Sequence, residues 1–353
     1  MADAIGTMPV RPFVTRGGRK LDFTALGFGG APLGNMHRVL TEDEAQETLE
    51  IAWKAGIRYF DTAPLYGHGL SEMRIGSALT GRNRADFLLS TKVGRLLDPC
   101  ATGEEESGIY KHTPHVRVKF DYSYDGVMRS FEASLSRLGF DRVDVLFVHD
   151  VDARTHGGRA QSEIRMRELI DLGGWRALAE LRSSGAVAAI GAGVNEWEPC
   201  ARLLELTDPD LFLLAGRYTL LEQAPLQELF PQCVARGVGV VIGGPFNSGI
   251  LAGQSTYDYA AAPPDILARV RALHAICRGH DIPLAQAALR FPLAHPSVVS
   301  LIAGAQTKSE VSDNAAMMGV ATPVALWDDL KRNNLLEPDA PVPQDSAKET
   351  QSC

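Results

Sequence analysis

Ile57-Arg58-Tyr59-Phe60-Asp61-Thr62-Ala63-Pro64-Leu65-Tyr66-Gly67 is the stretch on which the reading of this chain turns. Its aromatic centre predicts a strand, because aromatic and β-branched residues bounded by turn formers favour extended backbone. Pro64 and Gly67 then hold the chain out of regular structure. Asp61 and Tyr66 are therefore expected together at the carboxyl end of a strand. In a barrel of alternating strands and helices, that rim is where an active site is built.

The same rhythm recurs on both sides. Apolar runs at 24–28, 86–91, 143–148, 186–191, 211–214, 237–242 and 298–302 read as strands, and each is followed by a helical pattern. Thr41 and Glu44 form a capping box that opens a helix to about residue 55. Further helices are predicted at 71–79, 123–138, 174–184, 199–206, 225–236, 265–278, 283–291 and 308–318. Continuous rather than alternating apolar strands indicate a parallel sheet covered on both faces. Eight such units across residues 24–320 match an α/β fold of the (β/α)8 TIM-barrel type better than a doubly wound sheet. The expected organisation is one barrel domain over 1–353, with a small amino-terminal hairpin in the first 20 residues. Residues 94–122 read as a long irregular rim loop. A polar tail from about 326 should pack over the barrel and then fray.

Composition narrows the function classes. With 45% apolar and 22% charged residues in 353, the chain is globular rather than disordered. A net charge of −8 with no basic block argues against a nucleic-acid partner. Met1-Ala2-Asp3-Ala4 lacks the positive start and apolar core of a signal peptide, and no apolar run reaches the roughly 20 residues that cross a bilayer. Five scattered cysteines (Cys100, Cys200, Cys233, Cys277 and Cys353) without a C-x-x-C read as free thiols in a reducing cytoplasm.

A barrel would bring Asp61, Tyr66, Lys92, His149 and Asn195 to one rim. Singly, each has a plain explanation: a turn aspartate, a loop tyrosine, a solvated lysine, a hydrogen-bonded structural histidine. Four titratable groups from three strands of one rim change that balance. An ammonium beside a phenol should lower the tyrosine pKa. Asp61 would pair with Lys92, and His149 could donate to a substrate oxygen. A phenol so tuned moves a proton when a carbonyl is reduced or an alcohol oxidised, with electrons supplied by a hydride cofactor. Gly27-Phe28-Gly29, Gly67-His68-Gly69 and Gly191-Ala192-Gly193 each begin G-x-G, but none completes the G-x-G-x-x-G of a Rossmann domain.

Phe60-Asp61-Thr62-Ala63 with Tyr66-Gly67 and Ser71-Glu72, then Ser90-Thr91-Lys92, then His149, resemble the aldo-keto reductase family across about residues 24–314. The resemblance implies a nicotinamide dinucleotide at the carboxyl rim, with Tyr66 as general acid/base and Asp61, Lys92 and His149 completing a catalytic tetrad. Asn195 matches the residue that holds the nicotinamide carboxamide. Phe246, Asn247, Ser248, Gly249 and Leu251 match the pyrophosphate loop, and Gly304, Gln306 and Asn314 match the adenosine segment. Val194, Ala215 and Gly243 depart from the serine, glutamine and aromatic residue usual around the ring. Glu310 stands where many NADP-using members place an arginine. Its carboxylate would repel a 2′-phosphate, so NAD is expected over NADP, with Lys308 near enough to reach a phosphate.

Residues 215–221 and 291–296 resemble the branch containing aldose 1-dehydrogenases (L-fucose, D-threo-aldose and L-galactose types), to which pyridoxal 4-dehydrogenase is similar. That implies oxidation of a cyclic hemiacetal to a lactone, with Tyr66 as base on the anomeric hydroxyl. An NADPH-dependent aldehyde reductase and a non-catalytic cofactor-binding subunit are the alternatives. The expected partner is a small-molecule sugar or aldehyde, bound by a monomer or homodimer, without nucleic acid or membrane. Residues 94–122 and the region after Asp150 should wall the pocket. His115, Lys119, Tyr122 and Trp197 are the candidates to hold sugar hydroxyls or stack on a sugar face, while Phe28 and Met36 could line the pocket or simply pack. His112-x-x-His115 lacks the carboxylate or cysteine support a metal would need, and no metal is expected.

Overall fold

The structure, a computed structural model, describes residues 8–105 and 108–344. The start at Met1–Ala4, Cys353 and the last nine positions of the tail lie outside the described residues.

β1 (Val10–Val14) and β2 (Lys20–Thr24) form an antiparallel hairpin, with Val14 opposite Lys20. It plugs the amino-terminal end of the barrel. The Arg11 Nε donates to the Val298 carbonyl at 2.9 Å and the Arg16 amide to Asp210 at 2.7 Å, both at strand starts. Phe13 packs onto an interior cluster that includes Phe23, Tyr59, Val145, Phe147, Leu211 and Val241. The predicted hairpin is present, extending a few residues past position 20.

From there the chain alternates. In order come β3 (Leu26–Gly29), α1 (Glu42–Lys54), β4 (Tyr59–Asp61), α2 (Leu70–Leu79) and β5 (Leu88–Val93). A rim hairpin, β6 (Arg95–Pro99) with β7 (Val116–Phe120), precedes α3 (Tyr124–Leu138) and β8 (Val145–His149). Three helices, α4 (Ala153–His156), α5 (Arg159–Asp171) and α6 (Gly174–Ser183), lead to β9 (Ala189–Val194). Then follow α7 (Glu198–Leu206), β10 (Leu211–Ala215), α8 (Leu229–Arg236) and β11 (Gly239–Gly243). A two-residue ribbon, β12 (Thr256–Tyr257) with β13 (Ala260–Ala261), is followed by α9 (Pro264–Gly279) and α10 (Leu284–Arg290). β14 (Val298–Gly304), α11 (Lys308–Met318) and α12 (Val324–Arg332) complete the described chain. Among the described residues, β3, β4, β5, β8, β9, β10, β11 and β14 close into a barrel whose neighbours all pair in parallel. The (β/α)8 architecture is as expected.

Local signals explain the helix boundaries. Thr41 and Glu44 do form a capping box at α1, and Ser123 accepts from the Gly126 amide at the start of α3. Three expectations fail. Residues 94–122 are not irregular throughout, because Val116, Val118 and Phe120 alternate with exposed Arg117 and Lys119 and pair with β6. α5 was not anticipated: it buries only Met166 and Leu169, so its apolar period is faint. The tail is not simply polar from 326. Leu326, Trp327 and Leu330 bury one face of α12, and truncating a buried tryptophan of this kind typically costs about 3–5 kcal/mol.

Candidate active site

Strand register sets the first contacts. Asp61 ends β4 opposite Ser90 on β5, which places Lys92 two residues further along the neighbouring strand. Asp61 Oδ2 accepts from Lys92 Nζ at 2.7 Å, and its Oδ1 accepts from the Ser90 hydroxyl at 2.7 Å. Lys92 Nζ also donates to the Thr62 carbonyl at 2.9 Å and to the Tyr66 hydroxyl at 3.0 Å. An ammonium has three N–H bonds, and all three are used, so its position is fixed. Lys92 and Asp61 are each 1% exposed. Room for the lysine stem comes from Gly193 on β9, where a Cβ would stand 3.3 Å from Lys92 Cε.

Tyr66 is positioned by a backbone contact no larger residue could make. Gly67 sits at φ 62°, and a Cβ there would lie 2.4 Å from the Gly34 carbonyl oxygen. His149 ends β8, and its ring meets the Tyr66 ring edge-on at 5.8 Å and 90°. Its Nδ1 is buried with no hydrogen-bond partner among the described residues.

Electrostatics overturn one expectation. Tyr66 is not made more acidic: burial, then the Asp61 carboxylate, push its pKa well above the usual value. The pairing of Lys92 with Asp61 leaves little net positive charge to stabilise a phenolate. Burial raises the Asp61 pKa as well, against the opposing pull of Lys92. His149 is driven well below its ordinary pKa by burial and then by Arg95 and Lys92, so its imidazole is neutral at pH 7.

Beyond these four, the rim carries groups the sequence did not single out for the site. Asp150 follows His149 in a left-handed conformation, φ 51°, and is 6% exposed. Its Oδ2 contacts Arg95 at 2.5 Å and lies 3.3 Å from His149 Nε2, while its Oδ1 accepts from Asn195 Nδ2 at 2.9 Å. Tyr110 is buried, and burial raises its pKa well above the usual value, with Arg95 opposing the rise. At the tip of the β12–β13 ribbon, Asp258 pairs with both Arg154 and Arg217, and Tyr259 reaches to 3.4 Å from Asn195 Oδ1.

The proposed substrate contacts fare unevenly. Tyr122 is fully buried, and its hydroxyl donates to the His149 carbonyl at 2.7 Å and the Asp150 carbonyl at 3.0 Å; it braces the backbone and cannot reach a ligand. His115 stands beyond the outer end of the rim hairpin, exposed and 3.1 Å from Glu105, one position past the Pro99–Val116 pair that is the far end from Arg95. Lys119 lies on the exposed face of β7. Trp197 is half-buried at the start of α7 and packs on the core. Phe28 is buried in the core rather than lining a pocket.

The cofactor candidates share the rim. Phe246 to Leu251 follow β11, Gly304 ends β14, and Gln306, Glu310 and Asn314 belong to the entry and early turns of α11. Asn247 and Ser248 are both left-handed, at φ 46° and 59°, ahead of Gly249 at φ 97°. Turns of this kind aim amides into an anion-binding hollow, and the Ser248 amide has no acceptor among the described residues. Asn247 Oδ1 is buried without a partner there, an acceptor that needs a donor such as an amide or a sugar hydroxyl. That donor set fits a dinucleotide, which carries phosphates, ribose hydroxyls and a carboxamide. Gln306 is anchored by Nε2 to the Met36 carbonyl at 2.7 Å, which makes Met36 a wall of this segment. Glu310 accepts from the Gln306 and Thr307 amides at 2.7 and 3.1 Å, forming the α11 capping box. Lys308 is 3.1 Å from Glu47. Among the described residues, no group of three His, Cys, Asp or Glu side chains is placed to hold a metal ion.

A profile described as "Aldo/keto reductase family" matches residues 25–330. A pyridoxal 4-dehydrogenase from Microbacterium luteolum is 42% identical over 331 residues, covering 90% of this chain and 95% of that protein. A D-threo-aldose 1-dehydrogenase from Pseudomonas sp is 38% identical over 328 residues, again 90% and 95%. Among solved structures, an aldo-keto reductase from Bacillus halodurans in its holo form superposes with a TM-score of 0.69 at 25% identity, over 98% of this chain and 100% of that one.

Proposed function

This chain belongs to the aldo/keto reductase family and is an NAD(P)-dependent oxidoreductase, and from that premise we propose that it oxidises the anomeric hydroxyl of an aldose to a lactone, with NAD as the preferred cofactor. The observation that carries the chemistry is the chain of contacts from Asp61 through Lys92 to the Tyr66 hydroxyl, with His149 across from it.

Tyr66 and His149 define where the reacting oxygen sits. The neutral imidazole donates a hydrogen bond to that oxygen without carrying charge into the pocket. Tyr66 exchanges a proton with it, and Lys92, fixed by three acceptors, keeps the phenol oxygen in place. Bound in its oxidised form, the nicotinamide supplies a two-electron acceptor and a positive charge. In the protein alone burial keeps the proton on Tyr66, so the residue becomes a base only when positive charge is added beside it.

Support for NAD comes from the amino terminus of α11. The Glu310 carboxylate takes the amides that a 2′-phosphate would otherwise use, and adds like charge there. Lys308 is already paired with Glu47. Pyridoxal is the second reading, favoured by the 42% identity to a pyridoxal 4-dehydrogenase. The deciding experiment is a panel of L-fucose, L-galactose, D-arabinose and pyridoxal with NAD and with NADP, followed by absorbance of the reduced cofactor. Turnover of the sugars with NAD is expected. Turnover of pyridoxal alone selects the second reading.

A further inference from the structure

We propose that Asp150, held between Arg95 and Asn195, recognises the hydroxyl on the carbon next to the reacting one, so that the site selects polyhydroxylated hemiacetals over those lacking that group. The inference rests on the aldose reading above.

The backbone at Asp150 is built to present this side chain. A left-handed φ is uncommon for a non-glycine residue and persists only where the surroundings impose it. Here the imposed contacts are numerous. The Asp150 amide donates to the Gly193 carbonyl at 2.9 Å, and its own carbonyl accepts from Tyr122 at 3.0 Å and contacts His156 Nε2 at 2.8 Å. The result is a carboxylate oxygen 3.3 Å from His149 Nε2, beside the reacting oxygen's position.

Its hydrogen-bonding capacity is not exhausted. An ionised carboxylate offers about four acceptor positions, and among the described residues only Arg95 and Asn195 donate to it, leaving the single N–H of the neutral His149, 3.3 Å away, for the reacting oxygen. Arg95 is 8% exposed and stacks 4.8 Å from the Phe120 ring, yet its Nε is buried with no partner among the described residues. The group with spare capacity is thus the Asp150 carboxylate, which Arg95 and Asn195 hold in place. A sugar hydroxyl can donate to it. Oxygens on adjacent carbons of a sugar stand about one hydrogen-bond length apart. With the reacting oxygen on Tyr66 and His149, Asp150 is within reach of its neighbour, because the carboxylate stands 3.3 Å from the same imidazole nitrogen. A carboxylate acting only as a strut for Arg95 would instead affect all substrates alike.

The test compares D-arabinose with 2-deoxy-D-ribose, which differ only in the hydroxyl at the second carbon, and L-fucose with 2-deoxy-L-fucose, using wild-type protein and Asp150→Asn. Wild type should favour the hydroxylated sugar about 10- to 100-fold in kcat/KM, the range expected for one hydrogen bond to a charged group. In Asp150→Asn that ratio should fall several-fold, mainly through KM, over and above any loss the two sugars share. Equal losses for both sugars would overturn the proposal. Should the variant fail to fold, the wild-type ratio still decides, since a value near one has the same effect. Oxidation of neither sugar by wild type overturns the aldose reading itself, and this inference with it.

Discussion

Lys92 Nζ stands 3.0 Å from the Tyr66 hydroxyl, yet the phenol keeps its proton, because Asp61 at 2.7 Å holds the same ammonium and burial opposes phenolate. Proton transfer at this position is thus set by geometry first and acidity second. Tyr66→Phe removes the transferable proton while keeping the ring. A loss of about 10²- to 10⁴-fold in kcat is expected, with the dissociation constant of the cofactor, read by fluorescence titration, nearly unchanged. Retained turnover would exclude the assigned role.

Breaking the buried pair has a cost that does not depend on the chemistry. Asp61→Asn or Lys92→Met strands one charge in a site where both partners are 1% exposed. Each single change should lower unfolding stability by about 3–5 kcal/mol in urea. The double variant should be less destabilised than the sum of the two, since no unpaired charge remains. Simple additivity would show that the pair is not the buried unit described here.

Much of this site could be read from residue order. Asp61, Tyr66, Lys92 and His149 follow strands whose apolar runs are continuous, and a parallel barrel leaves only one rim for them. What stayed hidden depended on side-chain direction rather than on periodicity. Arg95 and Asp150 look like ordinary loop charges until β6 and the left-handed turn at Asp150 bring them together. Tyr122 reads as a pocket residue in a segment whose sequence shows no strand pairing, whereas its hydroxyl is consumed by the His149 and Asp150 carbonyls. α5 escaped because just two inward residues carry its period, and α12 because one buried tryptophan face lies among charged neighbours.

Glu310 serves two purposes that a single substitution would confuse. Its carboxylate caps α11 and also places negative charge at the helix start. Glu310→Gln keeps an oxygen for the Gln306 and Thr307 amides and removes only the charge. It should tighten NADP relative to NAD, and Glu310→Arg should do so by about 10-fold, as expected for reversing one exposed charge. Loss of the cap in the arginine variant should cost about 1 kcal/mol of stability. Binding constants for both dinucleotides, measured by calorimetry, check this. An unchanged NAD/NADP ratio in both variants removes Glu310 from the discrimination.

Burial raises the Asp150 pKa from 3.8 to about 6, with Asp152 adding to the rise and Arg95 and Lys92 opposing it. Below about pH 6 the side chain is therefore neutral, weakening its hold on Arg95 and its capacity to accept from a hydroxyl. Among the groups packed around it, His149 and His156 are both shifted down by burial and Tyr122 is shifted up, so the Asp150→Asn variant is the control that separates its transition from theirs. Asp61 is also raised by burial, but it acts on every substrate through Lys92. Dividing kcat/KM for D-arabinose by that for 2-deoxy-D-ribose cancels the Asp61 contribution. The quotient should fall as pH drops through about 6 in wild type and stay flat in Asp150→Asn. A falling quotient that persists in the variant would assign the transition to another group.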